Sequence, residues 1–164
     1  MGQVSGRAAE DAPPRADLQR VRPADFARWL SSLKVFKTEW GPIAWEYLHL
    51  RAIRWGGAST REQAGKERQV LQLIFSSLPC PQCRNHANDY LRDNPPDLRS
   101  SNSYQVWMYT FHNAVSERLN ADLDRQFVAG AIPYKEWLRR HKPVISYAEY
   151  QDLYREQLLR KQMC

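Results

Sequence analysis

The sequence predicts an all-α protein whose helices pack together as a bundle. Three observations support that fold class. Apolar side chains recur at spacings of three and four over most of the chain beyond residue 22. Glycine, proline and capping residues separate these apolar segments at the points where helices would begin and end. Runs of alternating β-branched residues, which would predict strands, are absent from the sequence.

The N-terminal part of the chain differs from the rest in composition. Residues 1–22 are rich in Ala, Arg, Asp and Pro and nearly lack large apolar side chains, which predicts a flexible tail. Residues 23–141 are long enough for one compact domain with its own core. Within this domain, residues 23–33 (PADFARWLSSL) place apolar side chains at helical spacing and predict a short first helix.

Two longer helices are predicted next. The first follows Pro42 and ends at Gly56-Gly57, and its apolar face is formed by Trp45, Leu48, His49, Ala52 and Ile53. The second spans roughly residues 61–78, with Thr60 as its N-cap. Its inner face would be formed by Val70, Leu71, Ile74, Phe75 and Leu78.

A third long helix is predicted to begin within the motif PCPQC at residues 79–83 and to stop at Asn94-Pro95-Pro96, since Pro81 suits a first helical position. The fourth is predicted from about residue 103 to 120, with Trp107, Met108, Phe111, His112, Val115 and Leu119 facing inward. A short helix is expected at YKEWLRRH. We expect residues 142–164 to form a helical extension, beginning at Ser146.

Composition and charge limit the functional classes. The net charge of +6 is spread along the chain without blocks of like charge, so we expect no nucleic-acid partner. Three cysteines are too few for a secreted disulfide scaffold. No apolar run approaches the roughly 20 residues of a membrane span, and no signal peptide is recognisable. We therefore expect a soluble, cytoplasmic protein without membrane insertion.

Cys80 and Cys83 form a Cys-x-x-Cys pair, for which the residues leave several interpretations open. A zinc site needs four ligands, and beyond the nearby His86 the sequence offers no second ligand pair. A thioredoxin-type centre needs a βαβ context, which is missing. Two idle thiols are also possible. A redox pair within a helical bundle would need an electron acceptor such as a flavin, which requires flat apolar partners.

Three motifs in this order resemble the Erv/ALR family of FAD-dependent sulfhydryl oxidases. They are WGPIAWEYLH at 40–49, PCPQC at 79–83 and FHNAVSERL at 111–119, with YKEW at 134–137 as a weaker fourth. The residues within these motifs are most similar to those of the short single-domain family members of large DNA viruses. The resemblance implies a four-helix bundle with a short fifth helix that holds FAD non-covalently, and a homodimer.

The resemblance also implies which residues contact the cofactor. They come from the first, fourth and fifth family helices and would be Gly41, Trp45, His49, His112, Asn113, Val115, Ser116, Leu119 and Trp137. Ser116 replaces the family's usual Asn, and Asn120-Ala121-Asp122 replaces its Gly-Lys-Pro. The cation that binds the FAD phosphates is therefore unassigned, with Arg118 and Arg125 as candidates.

The implied activity is disulfide formation in reduced protein substrates. Cys80 would exchange with substrate thiols, Cys83 would pass electrons to FAD, and O2 would be reduced to hydrogen peroxide. For a viral member the site of action would be the host cytoplasm or the virion. The alternative is a helical protein-binding module that uses the Cys pair and His86 to bind a metal. Cys164 cannot form a second relay pair by itself, so we expect direct exchange between substrates and Cys80.

Overall fold

The computed structural model describes residues 15–33, 37–156 and 159–160 of the 164-residue chain. Within these ranges every regular element is helical, which confirms the predicted fold class. The α-helices in chain order are α1 (Pro23–Ser32), α2 (Lys37–Ile53), α3 (Arg61–Ser76), α4 (Pro81–Asp93), α5 (Ser101–Val128), α6 (Tyr134–Arg140) and α7 (Tyr147–Tyr150). A 3-10 helix (Arg15–Arg20) precedes α1, and a π-helical turn (Gln151–Arg155) follows α7.

Helices α2 to α5 form the bundle, and α6 is the short fifth helix. Helix α2 packs along α5, α3 packs on α4, and α6 packs on α5. The centre of the bundle is aromatic, because Phe111 of α5 contacts Phe75 of α3 and Tyr90 of α4 at ring-centroid distances of 5.1 and 5.0 Å. These three helices therefore converge on one apolar centre, beside which the Cys pair lies.

Local signals set most helix ends as predicted. Thr60 accepts the Gln63 N–H in a capping box at the start of α3. Pro81 is the first residue of α4, and this helix ends at Asp93, immediately before the predicted stop. Gly57 has φ of +90°, and a Cβ there would lie 2.7 Å from the Arg99 carbonyl oxygen, so this turn requires glycine.

Helix α2 begins earlier than predicted. The sequence places its start after Pro42, whereas the helix runs from Lys37 and contains Pro42. Pro42 is the sixth residue of this helix, so its missing N–H costs one backbone hydrogen bond of the second turn. The earlier start places Trp40 and Gly41 on the same helix as Trp45, which matters for the site below.

Helix α5 is longer than predicted, reaching Val128 rather than residue 120. No glycine or proline interrupts residues 120–128, and Leu123 is buried, so the helix continues until Gly130. Gly130 has φ of +74°, its N–H donates to the Phe127 carbonyl, and the Ala131 N–H donates to the Gln126 carbonyl, which together form a Schellman end. Neither α5 nor any other helix in the described ranges is long and apolar enough to cross a membrane.

The first and last described segments differ from the prediction in two ways. Leu18, within the segment predicted as a flexible tail, is fully buried, and the Tyr47 hydroxyl donates to the Val21 carbonyl at 2.7 Å. The structured part of the chain therefore begins before residue 23, whereas residues 1–14 lie outside the described residues. In the C-terminal extension, Ser146 caps α7 as predicted, but the helix changes to π geometry after Tyr150. Cys164 lies outside the described residues.

Candidate functional site

The Cys pair forms the start of α4. Cys80 is the N-cap residue, and its Sγ accepts the backbone N–H of Cys83 at 3.3 Å. The partial positive charge of a helix N-terminus favours a thiolate at this position. The Arg84 guanidinium donates to the Leu78 carbonyl at 2.7 Å and so fixes the loop that leads into Cys80. The two sulfurs differ in exposure, because Cys80 is half-buried and Cys83 is buried.

Cys83 lines a pocket beside the centre of the bundle, and Cys80 is not among the lining residues. Most of the lining is apolar and aromatic, and the ionisable groups come from Cys83, His86 and Arg118. The other lining residues are Trp40, Gly41, Ala44, Trp45, Leu48, Phe75, Leu78, Ala87, Phe111 and Val115. Such a pocket suits a flat apolar ring system that lies beside a thiol and carries a negatively charged group for the guanidinium.

A layer of aromatic rings adjoins this pocket through Trp45. The Trp45 indole stacks on His112 of α5, with ring centroids 3.7 Å apart and an interplanar angle of 10°. His112 Nδ1 lies 2.9 Å from His49 Nε2, so one of these nitrogens donates a hydrogen bond to the other. Three rings from two helices thereby hold each other in fixed orientation.

Burial keeps the two imidazoles neutral. The pKa of His49, which is fully buried, is lowered well below 6.5 by burial and then by the neighbouring charge of His112. Burial also lowers the pKa of His112 to about 4. At neutral pH the pair therefore contributes ring surface and hydrogen bonds without a positive charge.

The structure brings together several of the predicted cofactor residues. Gly41, Trp45 and Val115 line the same pocket as Cys83. His49 and His112 are not lining residues, but they adjoin the pocket through the Trp45 stack.

Other predicted residues lie away from the pocket. The Asn113 carboxamide donates to the Ile145 carbonyl at 2.8 Å. Ser116 is buried and Leu119 half-buried on α5, and neither lines the pocket. Trp137 of α6 donates from Nε1 to Asp124 Oδ1 at 2.8 Å. Its ring contacts Phe127, Tyr134 and His141, outside the pocket lining.

Sequence reasoning missed part of the pocket wall. Trp40, Phe75 and Leu78 were not assigned to the site, although Phe75 and Leu78 were predicted to face inward. Trp40 belongs to the site because α2 begins before Pro42, a boundary that the proline obscured. In one continuous helix Trp40 stands four residues before Ala44 and eight before Leu48, and this spacing was the signal that could have identified Trp40.

The metal-binding alternative finds no arrangement of ligands in the described ranges. There, no group of three or more His, Cys, Asp or Glu side chains is placed to hold a metal ion.

Comparisons with known proteins identify a matching family and several similar proteins. The profile of the Erv1 / Alr family matches residues 42–138. An FAD-linked sulfhydryl oxidase of African swine fever virus is 34% identical over 121 residues, which cover 74% of this chain and 84% of the viral protein. The mitochondrial FAD-linked sulfhydryl oxidase of Saccharomyces cerevisiae is 27% identical over 118 residues, covering 72% of this chain and 57% of the yeast protein. A putative FAD-linked sulfhydryl oxidase of Invertebrate iridescent virus 6 is 32% identical over 97 residues, which cover 55% of this chain and 87% of the viral protein.

Proposed function

The chain belongs to the Erv1/Alr family, and on this premise we propose that it forms disulfide bonds in protein substrates as an FAD-linked sulfhydryl oxidase. The observation that carries the proposal is the unequal placement of the two cysteines. Cys83 lines an aromatic pocket, and Cys80 is the more exposed sulfur at the helix start. This difference supports Cys83 as the sulfur that faces the cofactor and Cys80 as the sulfur that an incoming thiol attacks.

The residues of the pocket fit FAD. Trp45, Phe111 and Val115 provide apolar surface for a flat ring system, and Cys83 lies in the same lining. Arg118 is the pocket's guanidinium and would bind a phosphate group. The other candidate, Arg125, is exposed and forms an ion pair with Asp122, so we assign the phosphate role to Arg118. When bound, FAD accepts two electrons and transfers them to O2.

The thiol chemistry proceeds at the Cys80–Cys83 disulfide. A substrate thiolate attacks Cys80 Sγ, forming a mixed disulfide and releasing Cys83 as a thiolate. A second substrate thiolate attacks the substrate sulfur of that mixed disulfide and releases Cys80. The substrate leaves as a disulfide, and the Cys pair has gained two electrons. The backbone N–H of Cys83, which donates to Cys80 Sγ, stabilises the negative charge on the released Cys80.

The pair is reoxidised from the pocket side. Cys83 lies in the pocket lining, so it is the thiolate that would face FAD, and FAD as a two-electron acceptor would allow Cys80 and Cys83 to re-form their disulfide. The two electrons and two protons released by the substrate dithiol reduce one O2 to one H2O2, which balances the overall reaction.

The activity can be tested with purified protein. We expect a yellow protein with a flavin spectrum that consumes O2 and produces H2O2 when given dithiothreitol. Cys83→Ser should abolish turnover and retain the yellow colour, whereas Cys164→Ser, the matched control, should retain both. A colourless preparation that contains zinc would contradict the proposal and support the metal-binding module.

The assembly and the cellular location are parts of the same proposal. The resemblance to Erv/ALR proteins supports a homodimer, and the similarity to viral oxidases supports action on reduced proteins in host cytoplasm or in the virion. Sedimentation equilibrium of the flavin-loaded protein tests the dimer, and a monomeric mass would contradict it.

A further inference from the structure

A segment near the C-terminus lies along α5 and is held there by two side-chain amides. We call residues 142–150 the strap. Asn120 Nδ2 donates to the Lys142 carbonyl at 2.7 Å, and the Lys142 N–H donates back to Asn120 Oδ1 at 2.7 Å. Asn113 repeats this pattern with Ile145, donating at 2.8 Å and accepting at 3.4 Å. Each carboxamide thus donates one hydrogen bond to a backbone carbonyl and accepts one from the N–H of the same residue, as a paired β-strand residue would.

We call each of these pairs of hydrogen bonds a clasp. The distance between the two clasps is about the same along α5 as along the strap. Asn113 and Asn120 are seven residues apart on α5, which corresponds to about two turns and about 10 Å along the helix. Lys142 and Ile145 are three residues apart in a segment without regular structure, and three extended residues span about 10 Å. The residue order is reversed, so the strap runs antiparallel to α5. Two independent clasps in matching register indicate a built attachment rather than a chance contact.

The strap ends against His49, one member of the histidine pair. Tyr150 is almost fully buried, and its ring centroid lies 5.3 Å from that of His49. Tyr109 of α5 supports this contact, since its ring packs on Tyr150 at 5.6 Å and its hydroxyl donates to the Ile145 carbonyl at 2.6 Å. The strap therefore closes the ring layer that continues through His112 to Trp45 and the pocket.

We propose that the strap retains the cofactor. In this arrangement Asn113 and Asn120 fasten it to α5, and Tyr150 is a positioning residue that fixes His49 and, through His112, the Trp45 ring on the pocket wall. The inference rests on the proposed binding of FAD. It also gives Asn113 a role that differs from direct contact with the cofactor, because its carboxamide holds Ile145. Loosening the strap frees the ring layer to tilt and opens a path for the cofactor to leave.

Flavin release from the full-length, flavin-loaded protein tests the strap. Release is followed after dilution as the rise in free-flavin fluorescence. We expect Tyr150→Ala and Asn120→Ala to release flavin about tenfold faster, equivalent to about 1.4 kcal/mol. Tyr150→Phe retains the ring contact with His49 and should release flavin more slowly than Tyr150→Ala. Asn94→Ala, which removes an exposed amide immediately after α4, is the matched control and should leave the release rate unchanged.

Amide hydrogen exchange provides a second measurement that needs no flavin. The Lys142 and Ile145 N–H groups should exchange slowly and should lose protection in Asn120→Ala and Asn113→Ala, respectively. If Tyr150→Ala fails to fold, Asn120→Asp serves instead, because its carboxylate faces the Lys142 carbonyl without a donor. Unchanged release would overturn the proposal, and slower release would do so as well, since it would mean that the strap competes with flavin. A protein with protected strap amides and no flavin would refute the proposed function while leaving the clasps in place.

Discussion

The imidazole of His112 lies flat on the indole of Trp45, with ring centroids 3.7 Å apart and planes inclined by only 10°. This stack joins α5 to α2, the two longest helices of the bundle. The opposite end of the layer is fixed by His49, so the orientation of the Trp45 ring beside the pocket depends on residues that do not line it.

We expect His112→Ala to release flavin at least about tenfold faster, because the substitution removes the ring that supports Trp45. The measurement is the dissociation rate of flavin followed by fluorescence. Thr110→Ala, on the exposed side of the same helix, is the control and should leave the rate unchanged. Equal flavin dissociation rates in the two variants would contradict the assignment of His112 to the cofactor site.

Arg118→Ala should weaken FAD binding by about 10-fold or more, since charge-assisted hydrogen bonds to a phosphate contribute about 1.5–3 kcal/mol. The control is Arg125→Ala, which removes an exposed guanidinium paired with Asp122 and should have little effect. Titration of cofactor-free protein with FAD and with riboflavin separates the causes. The loss should appear with FAD and be absent with riboflavin, which lacks phosphates; an equal loss with both ligands would contradict the assignment.

Glu67 connects three helices of the bundle. Its carboxylate accepts two hydrogen bonds from Arg51 of α2, at 2.6 and 2.7 Å, and one from the Tyr104 hydroxyl of α5 at 2.9 Å. Because Glu67 is only 2% exposed, Glu67→Gln removes a buried charge that pairs with the Arg51 guanidinium and places an amide NH2 group against its donors.

We therefore expect Glu67→Gln to lower the free energy of unfolding by about 3 kcal/mol. Glu62→Gln, on the same helix, breaks an exposed pair with Lys66 and should change it by less than about 0.5 kcal/mol. Urea unfolding of both variants provides the comparison. Equal small losses would show that the buried network does not stabilise the bundle.

The sequence was sufficient where local chemistry decides structure. Thr60 with Gln63 and Pro81 after Cys80 mark helix starts that depend only on neighbouring residues, and both are confirmed. The pocket was partly predictable for the same reason, since Trp45 and Val115 lie on faces that the helical period identifies.

Features that depend on distant residues could not be predicted in this way. The predicted start of α2 was wrong. It was placed after Pro42 because a proline usually marks a helix boundary, whereas the helix begins five residues before this proline. The strap was missed because the carboxamides of Asn113 and Asn120 bind backbone groups more than 20 residues away. Nothing in the local pattern of either segment specifies that pairing.

Cys164 tests whether substrates exchange directly with Cys80. A lone thiol cannot cycle between dithiol and disulfide within one chain, so we expect Cys164→Ser to oxidise both dithiothreitol and a reduced protein at near-normal rates. Oxygen uptake measures the first reaction and loss of free protein thiols the second. A variant that oxidises dithiothreitol but fails with the protein would identify Cys164 as a shuttle.

The histidine pair makes stability depend on pH in a defined window. In the unfolded chain both histidines have a pKa of about 6.5. In the folded protein the pKa of His49 is lowered well below this value, by burial and then by His112, and burial lowers that of His112 to about 4. Below about pH 6.5 the unfolded state therefore binds protons that the folded state does not, so stability falls as the pH decreases.

We expect the free energy of unfolding of the cofactor-free protein to be constant between about pH 7 and pH 8 and to fall between about pH 6.5 and pH 5. The limiting slope is about 1.4 kcal/mol per pH unit for each histidine. Asp97, whose pKa is lowered to about 2 by its hydrogen bonds with Arg99, titrates below this window and does not interfere. Urea unfolding at several pH values measures the slope, and the double variant His49→Gln/His112→Gln should flatten it. A slope that persists in the double variant would assign the pH dependence to other groups, and a flat curve in the unmodified protein would show that the pair is not buried as a neutral unit.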